Sequence, residues 1–367
     1  MALDDRKMQI LQAIIDDYIT TASPVGSRAV SKHAGLGLSS ATIRNEMYDL
    51  KELGLLEQPH TSAGSMPSDK AYRLYVNSIM QNTELNDEDR QRLMEHFSTR
   101  LDDMQEVIKQ TAVVLSGATN YMSMVMAPQL QDVKLKRIQL VHISEGKAVL
   151  IIVSSSGLLK NTTIQIPEDI NPEYLEKISR MLTERFYGCK IKDVSENLIY
   201  DLFIELGERR EQLTIASSIA SGVEKTYKQT SDIELRGADK LLTLPEFSDI
   251  ESARELLSAV EDKETFHELL SDAMSVELSV KIGSENTDPK LKNSSVVTAT
   301  YKINDEPIGS LGVVGPTRMD YARVLAVLKF LGSSMSSMLT DIYNEDISEN
   351  NFEKGNESNE ANQNDKN

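Results

Sequence analysis

Two neighbouring stretches, "LSSATIRNEMYDL" at residues 38–50 and "LEQPHTSAG" at residues 56–64, decide how the first domain is read. In the first, Ile43, Met47 and Leu50 recur at helical spacing, with Leu53 extending the stripe, so they face inward. The outward face then carries Ala41, Thr42, Arg44, Asn45 and Tyr48. Ser39 and Ser40 stand where a helix is capped, and the free amides of a first helical turn can also meet a phosphate. Short side chains in that turn suit a helix whose backbone enters the major groove, where arginine reads guanine and asparagine reads adenine through paired hydrogen bonds. The same pattern fits a capped surface helix of any small α domain, so its surroundings must decide.

Upstream, residues 4–22 place Met8, Leu11, Ile14, Ile15 and Tyr18 on one helical stripe opposite acids and amides. "SPVGSRAVSKHAG" predicts a turn, a short helix from Ser27 and a stop near Gly35. Downstream, "GLLEQPHTSAGSMPSDKAYRLYV" reads as a strand, a loop and a second strand or helix start. Three helices followed by a β-hairpin is the order of a winged helix-turn-helix.

Charge is distributed unevenly. The 367 residues carry a net charge of -18, which counts against a polyanionic partner. Residues 1–80, however, hold eight Lys/Arg against nine Asp/Glu, a net of -1, and the rest of the chain carries -17. The cations of the first domain can be gathered on one face: Arg28, Lys32, Arg44, Lys51, Lys70 and Arg73 are the candidates. The single cysteine, Cys189, excludes an intrachain disulfide or a cysteine-based metal site. "MALDDRKMQI" lacks a signal pattern, and no apolar run approaches the roughly 20 residues of a membrane span, so a cytoplasmic protein with no membrane partner is expected.

The remaining sequence reads as α+β. Residues 84–116 form one or two helices with Leu93, Phe97, Leu101, Met104 and Ile108 in register. "LKRIQLVHISEGKAVLIIVSSSGLLKNTTIQI" predicts three strands. A helical block runs from Pro167 to about Thr230. Strands and a helix resume from "DIELRGADKLL", and a last helix starts at "TRMDYARV". The order of strands, helices and strands again suggests one domain interrupted by an insert. Residues 344–367, with eight Asn and seven acids, read as a disordered acidic tail.

Catalytic signals are weak. The five histidines, His33, His60, His96, His142 and His267, have no ligand spacing, so no metal site is expected. "GSLGVVG" at 309–315 has neither a dinucleotide-binding order nor a P-loop lysine and reads as a strand end. Thr317 with Asp320 marks a helix start, with Arg318 paired to a nearby acid. No nucleophile–base or paired-carboxylate arrangement stands out, so an enzyme is the weakest reading, and no cofactor is expected.

The runs "SSATIRNEM", "LGLLEQPHTSAG", "PSDKAYRLYV" and "IGSLGVVGPTRMDYARV" together closely resemble the HrcA family of bacterial heat-inducible transcription repressors. The likeness spans residues 1 to about 343. It implies an α+β multidomain fold: a winged-helix DNA-binding domain at 1–80, a GAF-like domain at 81–160 and 233–343, and an inserted dimerisation domain at 161–232. It also implies a homodimer that binds the inverted-repeat CIRCE operator of groE- and dnaK-type chaperone operons. The chaperonin GroEL would keep the repressor active, and heat would relieve repression.

Carried over residue by residue, the recognition helix falls on Ser39–Leu53 and the wing on Gln58–Pro67. The implied DNA-binding residues are Ser39, Ser40, Thr42, Arg44, Asn45 and Tyr48, with His60, Thr61, Ser62 and Gly64 from the wing. The wing tip reads Gly64-Ser65-Met66-Pro67, where the family pattern has an arginine in the second position, and Ala71 stands where glycine is usual. The alternative function is a ligand-sensing regulator with a small molecule in the GAF-like domain.

Overall fold

The structure, a computed structural model, describes residues 3–32, 37–60, 63–80, 83–95, 104–129, 133–155, 159–168, 170–205, 213–228, 233–303 and 306–341. The tail expected at 344–367 lies outside the described residues, as do Thr61, Ser62 and the helix stop at Gly35.

The chain begins with α1 (Asp5–Thr21), α2 (Ser27–Val30) and α3 (Ser40–Glu52), then a hairpin of β1 (Leu56–Glu57) and β2 (Met66–Pro67), then α4 (Asp69–Ile79). Local chemistry sets these bounds. Asp4 caps α1 by accepting from the Lys7 amide at 2.7 Å, and Ala22 ends it in the left-handed region at φ 51°. Ser39 caps α3 and Ser68 caps α4, each accepting from the amide three residues on. Ile10, Ile14, Ile43 and Leu50 are fully buried where α1 meets α3. Each such side chain contributes about 1.5–3 kcal/mol of transfer free energy. This is the winged helix-turn-helix expected from the sequence.

Beyond it come α5 (Asp87–Glu95), α6 (Met104–Thr119) and β3 (Met122–Met126). Next are β4 (Leu135–Ser144), β5 (Lys147–Ser154) and β6 (Leu159–Gln165), then α7 (Pro172–Phe186), α8 (Glu196–Glu205) and α9 (Leu213–Lys228). The chain continues through β7 (Ile233–Arg236), α10 (Ala238–Leu241), α11 (Ile250–Glu261), α12 (Lys263–Ala273), β8 (Leu278–Ile282), β9 (Ser294–Ile303) and β10 (Glu306–Pro316). The helix α13 (Tyr321–Asp341) follows.

Two larger antiparallel sheets result. One has five strands in the order β7-β3-β10-β9-β8. Helices cover both its faces. Val125, Leu311 and Tyr301 belong to the core shared with α6 and α13, while Met122, Met124 and Met126 pack with Leu241, Phe266 and Leu270 of α10 and α12. The other sheet is β4-β5-β6, with Leu140 opposite Leu150 and Leu150 opposite Thr162. Its inner face packs on α7 and α9. There Gly222 of α9 sits so close to Ile164 and Leu150 that an added Cβ would come within 2.8 Å of both.

The fold bears out some expectations and corrects others. First, the sequence order groups the three strands at 135–165 with the interrupted domain, and the resemblance puts the insert at 161–232. Among the described residues these strands share a sheet with one another and no other strand, they pack with α7 and α9, and residue 161 falls inside β6. The strand that does join the five-stranded sheet before the insert is β3, "MSMVM", which was not recognised. All five of its residues are buried, so it shows no alternation. Second, "GSLGVVG" ends a strand as expected: it runs to within one residue of the end of β10, which is a central strand. An added Cβ on Gly309 would come within 2.2 Å of the Tyr301 hydroxyl, which donates to the Met126 carbonyl at 2.7 Å. Third, α13 has the length and composition of a membrane span, although Val324, Leu325, Leu328, Leu331 and Met335 along it are fully buried in the core. Its cap is Asp320, which accepts from the Arg323 amide at 3.0 Å, rather than Thr317.

Candidate nucleic-acid interface

The site is built on α3. With Ile43, Met47 and Leu50 pointed into the domain, Arg44 and Asn45 are exposed and Tyr48 is 63% exposed. None of the three has a hydrogen-bond or ion-pair partner among the described residues. Ser39, Ser40 and Thr42 sit in the first turn, where their hydroxyls serve the fold. Ser39 Oγ accepts from the Thr42 amide at 3.1 Å and shares a hydrogen bond with Thr42 Oγ1 at 2.9 Å. Ser40 Oγ lies 3.2 Å from Ser27 Oγ, tying α3 to α2. These residues therefore orient the helix, while Arg44, Asn45 and Tyr48 project from it.

Two acids of α3 would weaken this face if left uncompensated. Lys7 of α1 meets Glu46 at 2.7 Å and Asp49 at 3.1 Å, and Arg6 stands 3.7 Å from Glu46. The hydrogen bonds to Glu46 and Asp49 raise the Lys7 pKa, so its charge is held. These contacts escaped the reading of the sequence. Their signal is the pair of acids three residues apart on a helix that otherwise presents Arg44 and Asn45.

Arg28 and Lys32, at and just beyond α2, are exposed beside α3. Lys51 donates to Gln58 Oε1 at 3.1 Å, and Lys70 donates to the Leu53 carbonyl at 2.9 Å. Arg73 leaves the set of candidate cations, because it is paired with Glu285 of the body.

The wing turns at His60, which is exposed and whose carbonyl accepts from the Ala63 amide at 2.9 Å. Gln58 Nε2 braces the turn on the Ala63 carbonyl at 2.8 Å. Gly64 serves the fold, since an added Cβ there would lie 2.6 Å from the backbone of Pro24 and Val25. Ser65 exchanges two backbone hydrogen bonds with Val25, at 2.8 and 2.9 Å. Gly64 and Ser65 thus belong to the returning limb of the wing rather than to its tip. A Ser65→Arg substitution is expected to tighten binding to specific and random duplexes alike. It should steepen the slope of log K against log salt by up to about one unit. Salt titrations of both proteins on one operator duplex decide it; an unchanged slope and affinity mean that this limb stays clear of the phosphates.

A capped helix presenting Arg, Asn and Tyr beside a hairpin wing, on a near-neutral domain of an acidic chain, defines a winged-helix DNA-binding protein. Residues 2–81 match the winged helix-turn-helix transcription repressor, HrcA DNA-binding family, and residues 105–325 match the HrcA protein C-terminal domain. The chain belongs to the HrcA family of heat-inducible transcription repressors. It is 40% identical to the heat-inducible transcription repressor HrcA of Acetivibrio thermocellus, over 95% of this chain and 99% of that protein. It is 37% identical to the HrcA of Halalkalibacterium halodurans, over 93% and 99%. A crystal structure described as a hypothetical protein, 27% identical, covers 93% of this chain and 100% of its own with a TM-score of 0.59.

Proposed function

We propose that the chain represses groE- and dnaK-type chaperone operons by binding the inverted-repeat CIRCE operator as a homodimer, with repression relieved on heat stress. The observation that carries this reading is the bare polar face of α3. Arg44, Asn45 and Tyr48 have no side-chain partner among the described residues, Arg28 and Lys32 flank them, and Lys7 and Arg6 together offset Glu46 and Asp49. Footprinting of the purified protein on its own upstream region and on chaperone promoters tests it. Protection of a two-fold symmetric repeat is expected, and chaperone promoters left open to cleavage count against it.

The dimer reading draws support from the insert, taken as β4–β6 with α7–α9. Among the described residues, helices cover the inner face of its sheet and not the outer one. The outer face carries Val141, Ile143 and Leu159, all exposed, with half-buried Val149, Ile151 and Val153 between them. Exposed apolar area of this kind on a soluble protein marks an association surface. A GAF-like identity for the five-stranded domain, a chaperonin GroEL that keeps the repressor active and a cytoplasmic location all rest on family membership.

A further inference from the structure

The winged-helix domain is fastened to the rest of the chain along the whole length of α4. At its start, the Asp69 carboxylate accepts from both the amide and the hydroxyl of Ser284 at 2.9 Å. One turn later, Arg73 forms a two-pronged pair with Glu285 and donates to the Val280 carbonyl at 2.6 Å. Glu285 is itself oriented from the body side, accepting from the Ile282 amide at 2.9 Å. Between these contacts the Tyr72 ring lies 5.7 Å from that of Tyr321. Beyond the last turn, the Met80 carbonyl accepts from Lys329 at 2.5 Å. Near the end of α1, the Ile19 carbonyl accepts from Arg318 at 2.9 Å, and Arg318 is in turn paired with Glu246.

The body is shaped for this joint. Gly283 has φ +48°, and an added Cβ would fall within 2.6 Å of the Asp69 carboxylate. A DNA-binding domain on a loose tether needs none of these contacts. Here one of its eight cations is turned away from DNA to make them.

We propose that Asp69 and Arg73, with Ser284 and Glu285, are positioning residues that make the repressor selective for half-site spacing. They set the direction of α3 relative to the body. In a two-fold dimer they thereby set the separation and orientation of the two recognition helices. A stiff joint concentrates the second helix at one spacing only, whereas a loose joint lets it reach others. This inference rests on the reading that a dimer binds an inverted repeat.

The test uses the full chain, the variants Arg73→Gln, Glu285→Gln, their double and Gly283→Ala, and three duplexes. These are a single half-site, the native repeat, and the repeat with its spacer lengthened by about five base pairs, half a helical turn. Wild type should prefer the native to the lengthened repeat by at least about 100-fold, the lower range of avidity. The variants should narrow that ratio below about ten-fold while half-site affinity stays within about two-fold, with the double no worse than either single. Gly283→Ala attacks the joint from the body, so it separates a loosened joint from a damaged winged helix. Variants that keep the wild-type ratio, or that lose half-site affinity in parallel, overturn the positioning role alone. A wild type that binds both repeats equally, yet more tightly than the half-site, overturns this proposal alone; one that binds neither repeat more tightly than the half-site overturns the dimer reading and this proposal with it.

Discussion

Arg44→Ala and Asn45→Ala are each expected to weaken binding to the specific operator by about 1–3 kcal/mol while leaving affinity for random duplex nearly unchanged. Both side chains are exposed and partnerless among the described residues, and the helix beneath them is held by buried Ile43, Met47 and Leu50. Truncating them therefore removes no contact the fold uses, and a thermal melt of each variant should match wild type. What is lost is a pair of directed hydrogen bonds to base edges, which random sequence supplies only by chance. Competitive titrations on operator and scrambled duplexes measure the split. Equal losses on both would make these residues phosphate contacts. The first-turn residues predict a different outcome: Ser39→Ala removes the cap of α3, worth about 1 kcal/mol of stability, and should lower the melting temperature as well.

The second large effect concerns assembly. Val149→Glu or Ile151→Glu places a carboxylate in the middle of the outer face of β4–β6, where Val149 stands opposite Val141 and Thr163, and Ile151 opposite Gln139 and Asn161. Neither neighbourhood supplies a cation directly across, so burying the charge against a second copy is strongly unfavourable. The monomer should fold normally, because the substituted side chains lie on the face away from Ile152, Leu150 and the helices. Sedimentation should then show a monomer. Operator affinity should fall by about 10²–10⁴, the avidity of the second site, with half-site affinity kept. A dimer that survives both substitutions places the interface elsewhere. Deleting 161–232, the insert as read from sequence, is a poorer test. It would cut β6, removing Ile164, and strip α7 and α9 from Leu140 and Leu150.

The recognition face was legible because it depends on short-range order. The 3.6-residue period of Ile43, Met47 and Leu50 decides which residues point outward, and that arithmetic needs no knowledge of the rest of the chain. The same holds for the caps at Asp4, Ser39 and Ser68, and for the alternation in "KAVLIIVS", where every second residue of β5 is buried. β3 shows the limit. A strand buried on both faces has no polar side to alternate with, and its methionines carry little strand preference of their own.

By itself, then, the sequence determined the winged-helix order, the inward and outward faces of α3, and the family. Each is written in local periodicity or in contiguous motifs. The tertiary structure alone decided which strands share a sheet, because β-pairing joins residues far apart, as when β3 pairs with both β7 and β10. It alone decided that Lys7 screens Glu46 and Asp49, that Gly64 yields its space to Pro24 and Val25, and that Arg73 faces Glu285 rather than DNA. A charged side chain carries no mark of its partner in its own neighbourhood. The partner of Arg73 lies 212 residues further along the chain, and only the packing of α4 against the body brings the two within hydrogen-bonding distance.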